Sequence, residues 1–117
     1  MSSVMVVEDD RALRTLMNAI LRTSGHRVIM AENAQTALDQ LGGEEELILL
    51  DLGLPDLDGS TFLAEAVERG YRGKVIVVSG AFDGRELAHL MGAEGYLPKP
   101  FTPEQLEAAI AETLGSR

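Results

Sequence analysis

Short apolar runs alternate with amphipathic segments along the whole chain, and this alternation restricts the fold more than any other feature. Runs at residues 3–7, 27–31, 47–51, 74–79 and 95–97 predict strands. Apart from polar residues at their ends, they are continuously apolar rather than apolar at every second position, which is typical of strands covered on both faces. Strict strand–helix alternation with short connections implies right-handed crossovers and a parallel sheet. We therefore predict an α/β fold, flavodoxin-like or near it: a doubly wound five-stranded parallel sheet with about five helices.

Apolar residues at helical spacing fill the gaps between these runs. They predict helices around residues 13–21, 34–41, 62–67, 87–91 and 106–114. Asp10 stands where the N-cap of the first helix is expected, and Gly25 is placed to end it. Gly42-Gly43 should end the second helix. Thr102, Pro103 and Gln105 form the pattern of a capping box with proline in the first turn, which predicts the start of the last helix.

Length and composition favour one globular domain. The 117 residues are 45% hydrophobic, with 12 glycines and 4 prolines, and no linker or repeat divides them. We predict a single domain over residues 1–117. No apolar stretch approaches the roughly 20 residues that span a bilayer, and the start lacks a basic signal sequence. We therefore expect a cytoplasmic protein.

Composition also excludes several kinds of chemistry. There are no cysteines, so disulfides, iron–sulfur clusters and thiolate zinc sites are ruled out. His26 and His89 are not spaced as a metal pair, and we interpret both as surface residues. The formal net charge of −9 opposes binding to nucleic acid and to anionic membrane, so we expect neither direct DNA contact nor a membrane partner.

Acidic residues follow two of the predicted strands at the point where each strand ends. Glu8, Asp9 and Asp10 follow the first run, and Asp51 ends the third. The carboxyl ends of parallel strands meet at one edge of the sheet, where ligands bind in folds of this class. Asp10 directly precedes a helix and is interpreted as its cap. Glu8, Asp9 and Asp51 are hard oxygen ligands whose crowding is relieved by a cation, which predicts a Mg²⁺ site.

Two further side chains should reach the same edge. Ser79 ends the fourth strand, and Lys99 lies just past the fifth. A carboxylate that can act as nucleophile, a hydroxyl, a lysine and an acid cluster are the parts that phosphoryl transfer requires, because positioning and charge neutralisation do most of that chemistry.

Four segments resemble the receiver domain of two-component response regulators, and the resemblance covers nearly the whole chain. The segments are Val6-Val7-Glu8-Asp9-Asp10, Leu49-Leu50-Asp51-Leu52-Gly53-Leu54-Pro55 with Asp58-Gly59, Val77-Val78-Ser79-Gly80, and Tyr96-Leu97-Pro98-Lys99-Pro100-Phe101. The resemblance implies that a histidine kinase or histidine phosphotransfer protein would be the phosphodonor. A downstream effector protein would recognise the phosphorylated state.

The resemblance also implies residue roles. Asp51 would be the phosphoacceptor, Asp9 a direct Mg²⁺ ligand and Glu8 one acting partly through water, with the carbonyl of Gly53 as a further ligand. Ser79 and Lys99 would hold phosphoryl oxygens, and Lys99–Pro100 would be a cis peptide. Tyr96 would be the aromatic switch, which turns inward when Ser79 moves toward the phosphate. The ordinary alternative is that an aromatic residue on a strand simply packs against a helix.

Two other features follow from the comparison with receivers. The positions that govern the approach of water to the acyl phosphate hold Gly53 and Ala81, both small, so rapid dephosphorylation is expected. The stretch between Ser79 and Lys99 is about two residues shorter than is usual, which predicts a short or irregular fourth helix.

Three alternatives remain open from the sequence. The chain could be a small Mg²⁺-dependent aspartyl-phosphate phosphatase or phosphotransferase, although no insertion is large enough to form a substrate pocket. It could be a degenerate receiver that acts only as a binding module, against which stand the retained acids, Ser79 and Lys99. It could also be part of a larger regulator. In the leading interpretation the chain is no enzyme toward other substrates and catalyses only its own phosphorylation and dephosphorylation.

Overall fold

Strand and helix alternate throughout residues 2–115, the part of the protein that a computed structural model describes. The strands are β1 (Ser3–Val7), β2 (Arg27–Ala31), β3 (Leu47–Asp51), β4 (Lys74–Ser79) and β5 (Gly95–Pro98). The helices are α1 (Arg11–Thr23), α2 (Ala34–Gln40), α3 (Gly59–Glu68), α4 (Gly84–Leu90) and α5 (Pro103–Leu114). The predicted alternation is confirmed.

All five strands form one parallel sheet in the order β2-β1-β3-β4-β5. The chain therefore reverses its winding direction between β1 and β3, which is the doubly wound topology predicted from the sequence. Val7 of β1 pairs with Leu50 of β3, so the residues that follow these two strands emerge side by side. This register places Glu8 next to Asp51.

Two apolar layers cover the sheet, and successive residues of β1, β2 and β3 alternate between them. Val4 and Val6 join the layer formed with α1 and α5, whereas Met5 and Val7 join the layer formed with α2 and α3. This double burial explains why the strands are continuously apolar between their ends. Burying one such side chain contributes roughly 2 kcal/mol, so the two layers hold the strand ends firmly in place.

Side-chain caps fix where the helices next to the site begin. Asp10 accepts a hydrogen bond from the Leu13 N–H at 3.1 Å, as predicted for an N-cap. At α5 the predicted capping box is present: Thr102 accepts from the Gln105 N–H, and the Gln105 side chain accepts from the Thr102 N–H.

Some element ends differ from the sequence prediction. Helix α2 stops at Gln40 instead of reaching Gly42, because the Glu45 carboxylate accepts hydrogen bonds from the Gly42 and Gly43 N–H groups and turns the chain early. Strand β5 extends one residue further, to Pro98. Helix α4 begins at Gly84 and is 7 residues long, so the expected shortness is confirmed.

Among the described residues, none of the helices is both long and apolar enough to cross a membrane.

Candidate functional site

Three carboxylates meet where β1 and β3 end. Glu8 and Asp9 follow β1, Asp51 is the last residue of β3, and one oxygen from each lies within 4.8 Å of the other two. Glu8 is only 1% exposed and Asp51 only 6%, whereas Asp9 faces solvent. The predicted acid cluster is therefore present as one group, with two buried members and an open side at Asp9.

Lys99 lies against both buried carboxylates. Its Nζ is 3.0 Å from Glu8 Oε1 and 3.2 Å from Asp51 Oδ1. Burial alone would lower the pKa of the Lys99 ammonium, but Glu8 and Asp51 outweigh burial and raise it. Lys99 thus remains a cation, and three carboxylates still face one positive charge.

The charge balance at Glu8 is unfavourable in the metal-free protein. Burial raises the pKa of Glu8, and the Asp51 carboxylate adds to this against the opposing effects of the Asp10 N–H and Lys99. When the pKa of a carboxyl group is higher in the folded state than in the unfolded state, ionisation of that group opposes folding. Its contribution to stability therefore falls as the pH rises from the unfolded-state pKa to the folded-state pKa. This is the reverse of the usual behaviour of a carboxyl group.

The donor set fits a divalent cation. Glu8 Oε1 is buried and makes no aligned hydrogen bond, although it lies within ion-pair distance of Lys99. A buried acceptor oxygen without a hydrogen-bond donor is costly unless water or a cation supplies the missing contact. Carboxylate oxygens of this kind suit Mg²⁺, which keeps several of its waters.

Gly53 lies next to the Asp51 carboxylate, Ala81 lies next to Ser79, and both are exposed. The Gly53 N–H donates to Asp51 Oδ1 at 3.2 Å, which holds the carboxylate in one orientation. A Cβ built on Gly53 would lie 3.6 Å from Asp51 Oδ2, an ordinary contact distance. A side chain at this position would therefore cover the Asp51 oxygens without clashing with them.

Ser79 is buried at the end of β4 and is linked to the site through its backbone. Its Oγ accepts from the Ala81 N–H at 2.9 Å, and its carbonyl accepts from the Lys99 N–H at 2.9 Å. The same carbonyl accepts a hydrogen bond from the Tyr96 hydroxyl at 3.2 Å. One peptide group thus connects the serine, the lysine and the aromatic residue proposed from the sequence. The Lys99–Pro100 peptide bond is cis.

The Tyr96 ring is half-buried beneath the start of α4. The guanidinium carbon of Arg85 lies 4.9 Å from the ring centroid, a cation–π distance. A Cβ on Gly84 would lie 2.7 Å from the Tyr96 hydroxyl oxygen and 3.1 Å from Ser79 Cβ. Tyr96 can therefore occupy this position only because residue 84 has no side chain.

Sequence reasoning missed several residues that shape the site. Arg14 donates from Nη1 to the Glu8 carbonyl at 2.8 Å, and Gly84 and Arg85 surround Tyr96. A glycine in the first turn of a helix was the available signal, because glycine is a poor helix former and often marks a close approach. The arginines gave no such signal, since they belong to ordinary polar helix faces.

The fold and site define a class of protein: single-sheet α/β proteins with an acid cluster and a lysine at the carboxyl edge of the sheet. Residues 4–111 match the response regulator receiver domain family. The chain belongs to this family.

Similar proteins agree with this assignment. Transcriptional regulatory protein CpxR of Escherichia coli (strain K12) is 35% identical over 116 residues, which cover 97% of this chain and 50% of that protein. The KDP operon transcriptional regulatory protein KdpE of the same strain is 34% identical, with 97% and 52% covered. The crystal structure of a CheY-like receiver domain protein from Methanospirillum hungatei JF-1 has a TM-score of 0.86 at 30% identity, with 98% and 94% covered. The chain spans about half the length of the curated relatives it matches.

Replacing Asp9 with asparagine should reverse the stability order between metal-free and Mg²⁺-containing buffer. In chelator, D9N removes a like charge from the cluster and should be slightly more stable than the parent. In excess Mg²⁺ the parent should be the more stable, because binding at tenfold above Kd adds about 1.4 kcal/mol that D9N largely loses. Thermal unfolding followed by circular dichroism measures both.

Asp10→Asn is the matched control for D9N. Asparagine also caps helices, and Asp10 lies outside the acid cluster, so D10N should respond to Mg²⁺ as the parent does. The same stability order for D9N and the parent in both buffers would contradict the cation site.

Replacing Gly84 with alanine should displace the Tyr96 ring. The added methyl group would overlap the hydroxyl end of Tyr96, which is the part free to move. We expect loss of the hydrogen bond to the Ser79 carbonyl, seen as shifted Tyr96 ring and Ser79 amide NMR signals. Gly42→Ala is the control, because its Cβ would meet its nearest atom at 3.5 Å. Unchanged Tyr96 signals in G84A would show that the described contact is wrong.

Proposed function

We propose that this chain is a phosphorylatable receiver of a two-component phosphorelay and that Asp51 accepts the phosphoryl group. One observation carries the proposal: Asp51 is buried at the sheet edge with Oδ1 held by Lys99 Nζ and the Gly53 N–H, beside Glu8 and Asp9. Because Oδ1 already accepts two hydrogen bonds, Oδ2 is the oxygen proposed to attack phosphorus. Residues 1–117 are proposed to form one receiver unit.

The transfer reaction assigns a step to each group. Asp51 Oδ2 forms a bond to phosphorus while the bond between phosphorus and the donor imidazole nitrogen breaks, and that nitrogen keeps the electron pair. Lys99 stays protonated and offsets negative charge on the phosphoryl oxygens. Bound Mg²⁺, held by Asp9, Asp51, the Gly53 carbonyl and, partly through water, Glu8, would supply further charge neutralisation.

The proposed switch runs from Ser79 to Tyr96. Movement of the Ser79 hydroxyl toward a phosphoryl oxygen would carry its carbonyl with it, and that carbonyl already accepts from Tyr96. A charge change at Asp51 would thereby alter the surface around β5 and α4. The expected partners are a histidine kinase or histidine phosphotransfer protein, which donates the phosphoryl group, and an effector protein, which recognises the phosphorylated state.

The proposal also covers excluded partners, catalytic scope and location. The net charge of −9 supports a role without direct DNA or membrane contact by these residues, although the matched relatives are transcriptional regulators. The catalytic activity proposed is confined to the chain's own phosphorylation and dephosphorylation. The relay role itself is the basis for placing the chain in the cytoplasm.

Incubation with Mg²⁺ and acetyl phosphate should add one phosphoryl group, detected by intact-mass spectrometry. Asp51→Asn should abolish the addition, because the nucleophilic oxygen is lost. Asp83→Asn is the control, since Asp83 is exposed and makes no capping hydrogen bond. Beryllofluoride should perturb the amide signals of Gly53 and Ser79 in the parent. Equal labelling of D51N and the parent would refute Asp51 as the acceptor.

Large side chains at Gly53 and Ala81 should slow loss of the phosphoryl group. Both positions are exposed, Gly53 beside the Asp51 carboxylate and Ala81 beside Ser79, and a methionine at each is proposed to obstruct in-line attack by water. We expect hydrolysis about tenfold slower in the double variant, a barrier increase of about 1.4 kcal/mol. Decay of the phosphorylated mass peak gives the rate, and stabilisation by Mg²⁺ should match the parent. An unchanged rate would show that access at these positions does not limit hydrolysis.

A further inference from the structure

The loop between β3 and α3 is tied to a distant helix. This loop, residues 52–58, carries Gly53, whose N–H holds the Asp51 carboxylate. In its middle, Asp56 accepts hydrogen bonds from the Ala34 N–H at Oδ1 and the Gln35 N–H at Oδ2, each at 3.0 Å. Both oxygens are engaged, so the contact restrains the direction of the carboxylate as well as its distance from α2.

Helix α2 already has a cap of its own. Asn33 is the N-cap residue, and its Oδ1 accepts from the Thr36 N–H at 2.8 Å. Asp56 is therefore an additional acceptor, contributed from another part of the chain. The Gln35 and Ala34 N–H groups lower the pKa of Asp56, so the side chain is ionised at neutral pH and benefits from the positive end of the helix.

The other contacts of the loop hold its two sides, so the position of its middle depends on Asp56. Leu54 and Leu57 are partly buried against the α2–α3 layer, and Asp58 caps α3 by accepting from Thr61. Pro55 and Asp56 between them are exposed. The hydrogen bonds of Asp56 thus restrain the exposed middle of the loop, and Gly53 lies three residues before Asp56 in the same loop.

We propose that Asp56 is a positioning residue for the metal and phosphoryl site, holding the β3–α3 loop so that Gly53 stays in register with Asp51. It touches neither the acids of the cluster nor the reacting atoms. The inference rests on the proposed function for its chemical consequence, because Gly53 is a proposed Mg²⁺ ligand. Its geometric part, the restraint on Gly53, concerns the metal-free protein alone.

The test compares Asp56→Ala with Asn33→Ala. Each removes a side-chain acceptor from the same end of α2, but only D56A releases the loop. In metal-free protein, the Gly53 amide should exchange with solvent faster in D56A and at the parental rate in N33A. Mg²⁺, titrated by NMR at the Gly53 and Asp51 amides, should bind about tenfold more weakly to D56A, as is common when a group that orients a ligand is lost. N33A should stay within about twofold of the parent. Asp56→Asn, which keeps one acceptor oxygen, should partly restore both values.

The outcomes separate this inference from the proposed function. If the Gly53 amide exchanges equally fast in D56A and N33A, or if both variants weaken Mg²⁺ binding equally, Asp56 does not position the site. Phosphorylation of Asp51 in the parent would still support the relay proposal in that case. If the parent neither binds Mg²⁺ nor takes up phosphate, the proposed function fails. The exchange comparison in metal-free protein then still decides whether Asp56 restrains Gly53.

Discussion

The contact of Lys99 with two buried carboxylates is the interaction on which the site depends. Removing charged groups from water is costly, and one ammonium cannot balance Glu8, Asp51 and the nearby Asp9 together. The arrangement persists because strands packed on both faces fix where these side chains emerge. The stability of the core thus maintains a local excess of negative charge, which a bound cation would offset.

The same strand ends bring distant parts of the chain into one hydrogen-bonded unit. The Ser79 carbonyl accepts from the Lys99 N–H and the Tyr96 hydroxyl, while the Asp51 carboxylate accepts from Lys99 Nζ and the Gly53 N–H. Lys99 belongs to both groups. Lys99 therefore contacts both Asp51, through Nζ, and the Ser79 carbonyl beside β5, through its N–H.

Sequence reasoning predicted what depends on periodicity and on strand direction. The apolar runs gave the five strands, and parallel strands necessarily bring Glu8 and Asp51 to one edge. It did not predict what depends on contacts between residues far apart in the chain. Asp56 was not singled out, because its partners at Ala34 and Gln35 become neighbours only after folding. The early end of α2 has a different, local origin: the Glu45 carboxylate accepts hydrogen bonds from the Gly42 and Gly43 N–H groups, which the periodic helix pattern does not reveal.

The close approach of Gly84 to Tyr96 makes the two positions interdependent during evolution. With the aromatic ring in place, every residue larger than glycine at position 84 meets the ring or the Ser79 Cβ. With a small side chain at position 96, the contacts with the ring disappear and only the contact with Ser79 Cβ, at 3.1 Å, remains. Substitutions at the two positions are therefore non-additive: the fitness effect of a change at one depends on which residue occupies the other, and the order in which the changes arise determines which of them are tolerated.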